Sequence, residues 1–438
     1  MNILIQNGRV IDPASGFDHT ADVAVADGHI VAIAKSGEKL PANFKAEQTI
    51  DAKGCIVAPG LVDLQVRLRE PGYEHEGMLA SELTAAVAGG VTSLVCPPDT
   101  DPVLDEPGLI EMLKFRAEKL HRARVFPLGA LTRGLKGEVL TEMSDLTDAG
   151  CVGFSQAEVP LENTQVLQRA LQYAATFGYT VWLRPQEVHL GKGVAASGPL
   201  ATRLGLGGVP LAAETIALHT SFALMRATRA RVHLCRISSA EGVELVRAAK
   251  KEGLAVTADV SINSLHLSDH DIGYFDSRAR VTPVLRQQRD RDALRAALAD
   301  GTLDALVSDH MPVDNDGKAL PFAEAESGAT GLELLLSLSI KWANDSKVGL
   351  LRALEVLTSQ PAKVLGKIEG QSESMGQLHV GGVADIVVFD PTVEWHVTPD
   401  ALHSQGKHTP FAFDMTGMSL PARVKTTLVA GHVAYQAA

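Results

Sequence analysis

Three polar residues alternate along one apolar stretch near the start of the chain, in a pattern that could carry chemistry. Gln65, Arg67 and Arg69 lie within residues 58–72, and alternate residues of a strand share one face. Two histidines at this spacing would indicate a metal site, whereas glutamine and arginine do not. The two arginines are suited to binding an anion or to pairing with carboxylates. Because buried charges are normally paired, pairing inside the protein is the interpretation we favour.

Other apolar stretches also end in residues of catalytic or metal-binding types. They are residues 154–158, 183–187, 233–238 and 308–313. In the last of these, Asp309 and His310 form a pair that could transfer protons, although such a dipeptide is common. His233 is more readily explained as a core histidine than as a metal ligand, since histidine is often largely buried. The chain has no GxSxG, Walker A or HExxH motif.

A repeating architecture must position these stretches. Buried parallel strands are predicted at residues 90–96, 124–128, 151–155, 179–183, 231–235 and 305–308. Helical patterns such as 240–251 and 290–298 lie between them. This alternation predicts an α/β fold with a (β/α)8 TIM barrel, in which chemistry sits at the C-terminal ends of the strands. Strand-and-turn patterns predict a small β-sandwich domain formed by residues 1–57 and 372–438, leaving residues 58–371 for the barrel.

The composition limits the partners and the compartment. The chain has 438 residues, of which 45% are hydrophobic and 21% charged, a balance that suits a large core. The formal net charge of −12 argues against nucleic acid and anionic membranes as partners, since both favour a basic surface. The four cysteines form no CxxC pair, and neither a signal peptide nor a membrane span is recognisable. We expect a soluble, cytoplasmic protein.

Short motifs along the whole chain carry a family resemblance. They are residues 7–13 (NGRVIDP), 58–63 (APGLVD), 69–72 (REPG), 88–92 (AGGVT), 308–310 (SDH), 331–333 (GLE), 360–362 (QPA), 376–378 (GQL), 384–387 (ADIV) and 408–411 (HTPF). With these motifs the chain resembles the long, bacterial type of dihydroorotase within the amidohydrolase superfamily. Each motif alone is weak, but together they are specific. The resemblance implies a barrel that hydrolyses a cyclic amide.

The resemblance also implies a binuclear zinc site, from which this chain departs at nearly every position. The implied ligands are an HxH pair, an aspartate, two later histidines and a final aspartate. Those positions hold Gln65 and Arg67, Gln156 (or Ala157 with a one-residue shift), Arg184, Arg236 and Asp309. Arginine is permanently cationic and offers no lone pair to a metal. We therefore predict that the chain holds no metal or other cofactor and is not an enzyme, with Asp309 a vestige of the catalytic site.

The implied substrate-binding residues are altered as well. Arg69 matches the arginine that binds the substrate carboxylate in the family, and it either still holds a small anion or serves the structure. Asp99 and Thr282 stand where the family has asparagines, and Asn263-Ser264 stand where it has two histidines. An aspartate at position 99 would repel a substrate carboxylate.

The arginines at former ligand positions have a physical rationale. A mouth shaped around two zinc ions loses about four positive charges when the metals go, and Arg67, Arg184 and Arg236 restore three of them. We expect these arginines to pair with Asp309, and with Asp99 or Glu187 as further partners.

A barrel that lacks the metal ligands of its family suggests a protein whose role is structural and depends on its shape. In some bacteria, dihydroorotase-like chains without activity assemble with aspartate carbamoyltransferase, the preceding enzyme of pyrimidine synthesis. The resemblance thus implies a catalytically inactive dihydroorotase homologue that is a structural subunit of aspartate carbamoyltransferase and forms homo-oligomers. The alternative is a re-purposed cyclic-amide hydrolase that uses Asp309 and His310 without the zinc site. A cytoskeletal protein of the dihydropyrimidinase-like kind is less favoured, since no long polar tail follows the last predicted strand.

Overall fold

The computed structural model describes residues 1–366, 375–412 and 417–437. Its strands, in chain order, are β1 (Ile3–Asp12), β2 (Phe17–Ala26), β3 (His29–Lys35), β4 (Gln48–Asp51), β5 (Ile56–Pro59), β6 (Leu61–Asp63), β7 (Val91–Cys96), β8 (Arg124–Pro127), β9 (Gly129–Ala130), β10 (Phe154–Ser155), β11 (Thr180–Leu183), β12 (Ala195–Ala196), β13 (Gly208–Val209), β14 (Arg231–Leu234), β15 (Val256–Ser261), β16 (Ala305–Val307), β17 (Ile386–His396), β18 (Ser419–Val429) and β19 (His432–Gln436).

Strands from both ends of the chain form one sheet. Its order is β19-β18-β17-β5-β1-β2-β3, and β4 pairs with β1. Strand β5 is therefore flanked by β1, to which it runs parallel, and by β17, to which it runs antiparallel. A separate apolar core joins the two ends through Ile5, Val23, Val57, Ile386 and Leu428. The division into residues 1–57 with 372–438 and 58–371 stays a prediction, and its boundary at 371–372 lies outside the described residues.

Eight consecutive strand segments form the barrel. Strands β6, β7 and β8 are parallel neighbours, β9 continues β8 after one residue, and β10, β11, β14, β15 and β16 follow in parallel order. The first and last segments meet where Val66 forms a parallel bridge with His310. All six residues of β7 are buried, as expected for a parallel strand covered on both faces. The predicted (β/α)8 barrel is confirmed.

Helices cover the outside of the barrel and the connections. They are α1 (Leu79–Ala88), α2 (Pro107–Glu118), α3 (Met143–Asp148), α4 (Thr164–Phe177), α5 (Pro199–Leu204), α6 (Ala212–Thr228), α7 (Ala240–Glu252), α8 (Ile262–His266), α9 (Gln288–Asp300), α10 (Asn315–Ala319), α11 (Leu335–Ser346), α12 (Leu350–Glu355) and α13 (Ser359–Leu365). Helices α7 and α9 confirm the two helical patterns predicted from the sequence. No helix in the described ranges is long and apolar enough to cross a membrane.

Helix α4 shows why the sequence folds this way locally. Asn163 caps its start, with the side chain accepting a hydrogen bond from Gln165 N, and Gly178 ends it with φ +75°. Its buried residues recur at helical spacing from Val166 to Ala174, so one apolar stripe faces the barrel.

Candidate functional site: an arginine cage at the barrel mouth

Four residues that follow barrel strands have a left-handed backbone although none is glycine. The φ angle is +64° at Arg69, +50° at Ala157, +56° at Arg236 and +52° at Asp309. Such conformations cost about 1–3 kcal/mol each and cluster at functional sites. The backbone at the mouth of this barrel therefore has sharp, left-handed turns of a kind that is common at functional sites.

Glu158 lies at the centre of an arginine cluster in this mouth. Its Oε1 accepts a hydrogen bond from Arg67 Nη2 at 2.9 Å, and its carboxylate also forms close ion pairs with Arg184 and Arg236. The three arginine side chains are almost fully buried, whereas 23% of the Glu158 side chain is exposed. One carboxylate therefore holds three buried guanidinium groups together.

Two further carboxylates complete the cluster. Arg67 Nε donates to Asp99 Oδ2 at 2.8 Å, and Arg236 Nη1 donates to Asp309 Oδ1 at 2.8 Å. We call Arg67, Arg184, Arg236, Glu158, Asp99 and Asp309 the arginine cage. Its three cations and three anions balance, which lowers the high cost of burying unpaired charge.

The expected arginine pairing with Asp309 and Asp99 is thus found, but Glu187 takes no part in the cage. Its Oε2 accepts hydrogen bonds from the backbone N–H groups of His189 and Leu190, at 2.9 and 2.7 Å. Glu187 instead stabilises a local turn, because a carboxylate beside two free backbone N–H groups is satisfied without an arginine.

The charges of the cage shift the pKa values of its acids. Burial alone would raise the pKa of Glu158, but Arg184, Arg236 and Arg67 together hold it well below its usual range. Burial raises the pKa of Asp309, and the nearby Arg236 opposes that rise. Glu158 is therefore the ionised partner on which the cage depends.

The glutamines at two predicted metal-ligand positions, Gln65 and Gln156, are both buried. The side chain of Gln156 points to the loop after the third barrel strand. Its Oε1 accepts a hydrogen bond from Thr132 Oγ1 at 3.0 Å, and its Nε2 donates to the Leu135 carbonyl at 2.8 Å. Gln156 therefore braces this loop and does not join the cage.

Arg69 and Thr282, predicted as vestigial substrate-binding residues, are engaged by their neighbours. The Arg69 Nε lies 2.6 Å from Glu76 Oε2 in a buried ion pair. The Thr282 hydroxyl lies 2.7 Å from Ser327 Oγ, and the Thr282 carbonyl accepts a hydrogen bond from Arg236 Nη1 at 3.0 Å. A substrate carboxylate at Arg69 would have to compete with Glu76.

His310 does not share the surroundings of Asp309. Its Nε2 lies 2.8 Å from Glu82 Oε2 on α1, and its Nδ1 accepts a hydrogen bond from Gly331 N at 3.2 Å. Both His310 and Glu82 are fully buried. Asp309 faces the cage while His310 faces α1, so the structure separates the pair that the alternative function requires to act together.

The cage does not fit two zinc ions. Zinc is bound by neutral imidazole, thiolate or carboxylate groups, and three of the expected positions carry guanidinium groups instead. The one matching carboxylate, Asp309, is already bonded to Arg236. A dication placed among Arg67, Arg184 and Arg236 would be repelled.

A second group of metal-binding side-chain types is buried in the barrel. One potential ligand atom each from His233, Cys235 and Asp259 lies within 4.8 Å of the others. His233 Nε2 is 2.9 Å from Asp259 Oδ2, and its Nδ1 is 2.8 Å from Thr257 Oγ1. Burial raises the pKa of the Cys235 thiol well above its usual range, so a metal would have to displace its proton. These three residues have the donor types for a single metal ion.

A cavity of about 380 Å³ opens beside the cage, within the size range of small-molecule sites. Glu158, Arg184 and Arg236 line one part of it, and Arg280 and Arg286 line another. The mouth therefore has room for a ligand next to the cage.

Comparisons with known proteins agree with this architecture. A family model described as "Dihydro-orotase-like" matches residues 54–242, and one described as "Amidohydrolase family" matches residues 211–434. A dihydroorotase-like protein of Pseudomonas aeruginosa is 43% identical over 437 residues, covering 100% of both chains. This chain belongs to the dihydroorotase-like amidohydrolase family.

Further relatives of this dihydroorotase-like chain carry enzyme names. A protein named dihydroorotase from Geobacter sp. is 39% identical over 438 residues, covering 100% of both chains. Among solved structures, the L-hydantoinase (dihydropyrimidinase) from Arthrobacter aurescens superposes with a TM-score of 0.85 at 25% identity, covering 99% of this chain and 96% of that chain.

These findings correct one prediction. The expectation that the chain is not an enzyme is wrong, because full-length relatives named dihydroorotase and the hydantoinase structure indicate a hydrolase. The physical reason is that replacing the ligands of the binuclear zinc site excludes hydrolysis by that zinc pair, but it does not exclude hydrolysis by other groups. His233, Cys235 and Asp259 also form a second group of metal-binding type in this dihydroorotase-like barrel.

The residue that sequence reasoning missed is Glu158. A count of charges contained the signal: three arginines facing Asp309 and Asp99 leave one positive charge without a partner. Glu158 follows Gln156 by two residues at a strand end, and it supplies the missing carboxylate.

Proposed function

We propose that this dihydroorotase-like chain acts as a structural and assembly subunit of aspartate carbamoyltransferase in pyrimidine biosynthesis, in the cytoplasm. The observation that carries the proposal is the arginine cage, whose ion pairs stand where the resemblance places two zinc ions. The barrel and the left-handed turns of its mouth surround that cage. A protein with this combination is suited to a role that depends on its shape.

The balance of charge within the cage supports such a role. Three buried arginines and three carboxylates from strand ends far apart in sequence are held in one network. Buried ion pairs contribute little net stability, but breaking one of them is costly. The network therefore favours a single arrangement of the strand ends. A surface that binds a partner protein needs such a fixed shape.

A second candidate function is hydrolysis of a cyclic amide, favoured by the full-length relatives named dihydroorotase and by the cavity beside Glu158. The cage cannot hold the zinc pair, so this reaction would depend on other groups. The Asp309–His310 pair gains no support as that group, because His310 is bonded to Glu82 and buried.

The test is co-expression of the chain with aspartate carbamoyltransferase from the same organism, followed by size-exclusion chromatography. Zinc content and dihydroorotate hydrolysis are measured on the same fractions. We expect one joint peak at constant stoichiometry, and a smaller aspartate carbamoyltransferase particle when the chain is omitted. A transferase of unchanged size and activity without the chain would overturn the proposal. Stoichiometric zinc with turnover would favour the second candidate.

A matched pair of variants connects assembly to the cage. Glu158→Ala removes the central carboxylate, whereas Glu162→Ala removes a nearby glutamate whose side chain is 74% exposed. We expect the first variant to reduce the joint peak and the second to leave it unchanged. Equal joint peaks for both variants would show that the cage does not shape the interface.

A further inference from the structure

Arg280 lines the cavity beside the arginine cage and forms no ion pair with any residue that the structure describes. Its Nε is buried and finds no hydrogen-bond partner among the described residues. Burial lowers the pKa of Arg280, and no charge within the described ranges offsets this effect. Arg280 as a whole is half-buried, and a guanidinium that loses part of its hydration without gaining a counter-charge is unusual, since buried charges are normally paired.

Arg286 is a second cation on the cavity wall, with 7% of its surface exposed. Its Nε donates to the Ser238 hydroxyl at 2.8 Å. That hydroxyl donates in turn to Glu214 Oε2 at 2.5 Å. Glu214 therefore reaches Arg286 only through Ser238, and no direct ion pair joins Arg286 to a carboxylate in the parts of the chain that the structure covers.

The remaining charges of the cavity do not cancel these two arginines. Arg184 and Arg236 are already paired with Glu158 in the cage, and Lys192 adds an exposed cation at the rim. Glu214, the other acid on the wall, accepts hydrogen bonds from Ser238 and Ser239. The cavity wall is therefore cationic, and the guanidinium groups of Arg280 and Arg286 have N–H groups that can donate hydrogen bonds to a ligand.

We propose that this cavity binds a small organic oxyanion, a carboxylate or a phosphate, with Arg280 as its principal ligand and Arg286 as its second. The planar guanidinium fork matches the oxygens of both groups. The site differs from the arginine that the family resemblance assigns to a substrate carboxylate, because Arg69 is occupied by Glu76. The inference goes beyond the proposed function and does not depend on aspartate carbamoyltransferase.

The hydroxyls of the cavity fit the same ligand class. Thr282 and Ser327 line the wall near Arg280, and their hydroxyl oxygens lie 2.7 Å apart. Each hydroxyl can donate as well as accept a hydrogen bond. One of the two can therefore donate to the other, which in turn donates to an oxyanion. A neutral ligand would leave the Arg280 guanidinium without its counter-charge.

The test measures binding of inorganic phosphate and of succinate to the purified chain, by calorimetry and by the shift of the melting temperature. Ionic strength is held constant with potassium chloride, because screening alone would weaken any anion site. Saturation by phosphate alone assigns a phosphate ligand, and saturation by succinate alone assigns a carboxylate. The readout is independent of co-elution with aspartate carbamoyltransferase, so failure here and failure of the assembly proposal are distinguishable.

Variants assign the site to Arg280. We expect Arg280→Gln to weaken binding by about tenfold or more, and Arg280→Lys, which keeps the charge without the fork, to lie between it and the original chain. The matched control is Arg226→Gln, at a surface arginine near the end of α6 that pairs with Glu252 and is 51% exposed. It should bind as the original chain does.

The melting temperature without ligand separates this proposal from a structural role. Removing a half-buried cation that has no ion-pair partner among the described residues should leave the melting temperature of Arg280→Gln equal to or above that of the original chain. A lower melting temperature with unchanged anion affinity would overturn the proposal. So would the absence of saturable binding of both probes to the original chain up to about 10 mM.

Discussion

Arg236 Nη1 donates a hydrogen bond to Asp309 Oδ1 at 2.8 Å. The one carboxylate that matches the implied metal site is thus bonded to an arginine that stands where a histidine ligand is expected. Both residues follow barrel strands and have left-handed backbone conformations. The barrel mouth is therefore held by charge pairing between its own side chains, and its stability should depend on those charges.

Glu158→Gln should destabilise the protein by about 2–4 kcal/mol, because it leaves buried arginines without their shared carboxylate. The exposed control Glu162→Gln should change stability by less than about 0.5 kcal/mol. Urea unfolding of both variants at pH 7 measures the difference. Two equally small effects would mean that water compensates the three arginines.

Chelation should leave the melting temperature unchanged, since the cage does not fit zinc. The purified chain is compared with and without excess EDTA by calorimetry. A decrease would point to His233, Cys235 and Asp259 as ligands. In that case Cys235→Ser should lose the response to EDTA, and a response that persists in this variant would place the metal elsewhere.

Asp63 should make stability depend on pH. Burial raises its pKa from 3.8 to about 7, against hydrogen bonds from Ser308 and Gln65. The folded protein then keeps a proton that the unfolded chain releases between those values. The contribution of Asp63 is fully present below about pH 4 and is lost as the pH rises through about 7.

Asp63→Asn should therefore gain stability relative to the original chain as the pH rises, by about 2–4 kcal/mol above pH 7. Urea unfolding at pH 5.5 and pH 8.5 measures this, with the exposed Asp316→Asn as the control. A stability difference that is the same at both pH values would rule out the raised pKa.

His310→Gln should act on stability and not on chemistry. Glu82 would lose its histidine partner in a fully buried site and keep only neutral donors such as Ser404 and Gln405 N, which we expect to cost about 1–3 kcal/mol. Any hydrolysis, measured per folded molecule, should stay unchanged, as it should in the exposed control His219→Gln. Loss of turnover without loss of stability would restore a catalytic role for His310.

The barrel could be predicted because most of its strands are apolar runs followed by helical patterns. Strand β15, which carries Thr257 and Asp259 among its apolar residues, was not among the predicted strands. The part of the cage that was predictable rests on residue type: Arg67, Arg184 and Arg236 cannot bind zinc and require carboxylates. The count of charges shows that a third carboxylate is needed, but it does not identify Glu158, because the position of that side chain depends on the left-handed turn at Ala157.

Side-chain direction explains the other differences between expectation and structure. Asp309 and His310 are adjacent in sequence, but the left-handed backbone at Asp309 separates their surroundings. For Arg69 the sequence left two roles open, binding an anion or serving the structure, and Glu76, seven residues later, forms an ion pair with it. Neither direction follows from hydrophobic periodicity, which specifies the face of a strand and not the partner of a side chain.

The position of β5 has a consequence for the order of synthesis. This strand has β1 along one edge from early in translation, but its other neighbour, β17, leaves the ribosome only after the whole barrel has been made. Throughout that interval the nascent chain carries an open strand edge, which can recruit other chains. Premature termination before residue 386 would leave this edge permanently uncovered, so we expect truncated products to aggregate even though their barrel residues are all present.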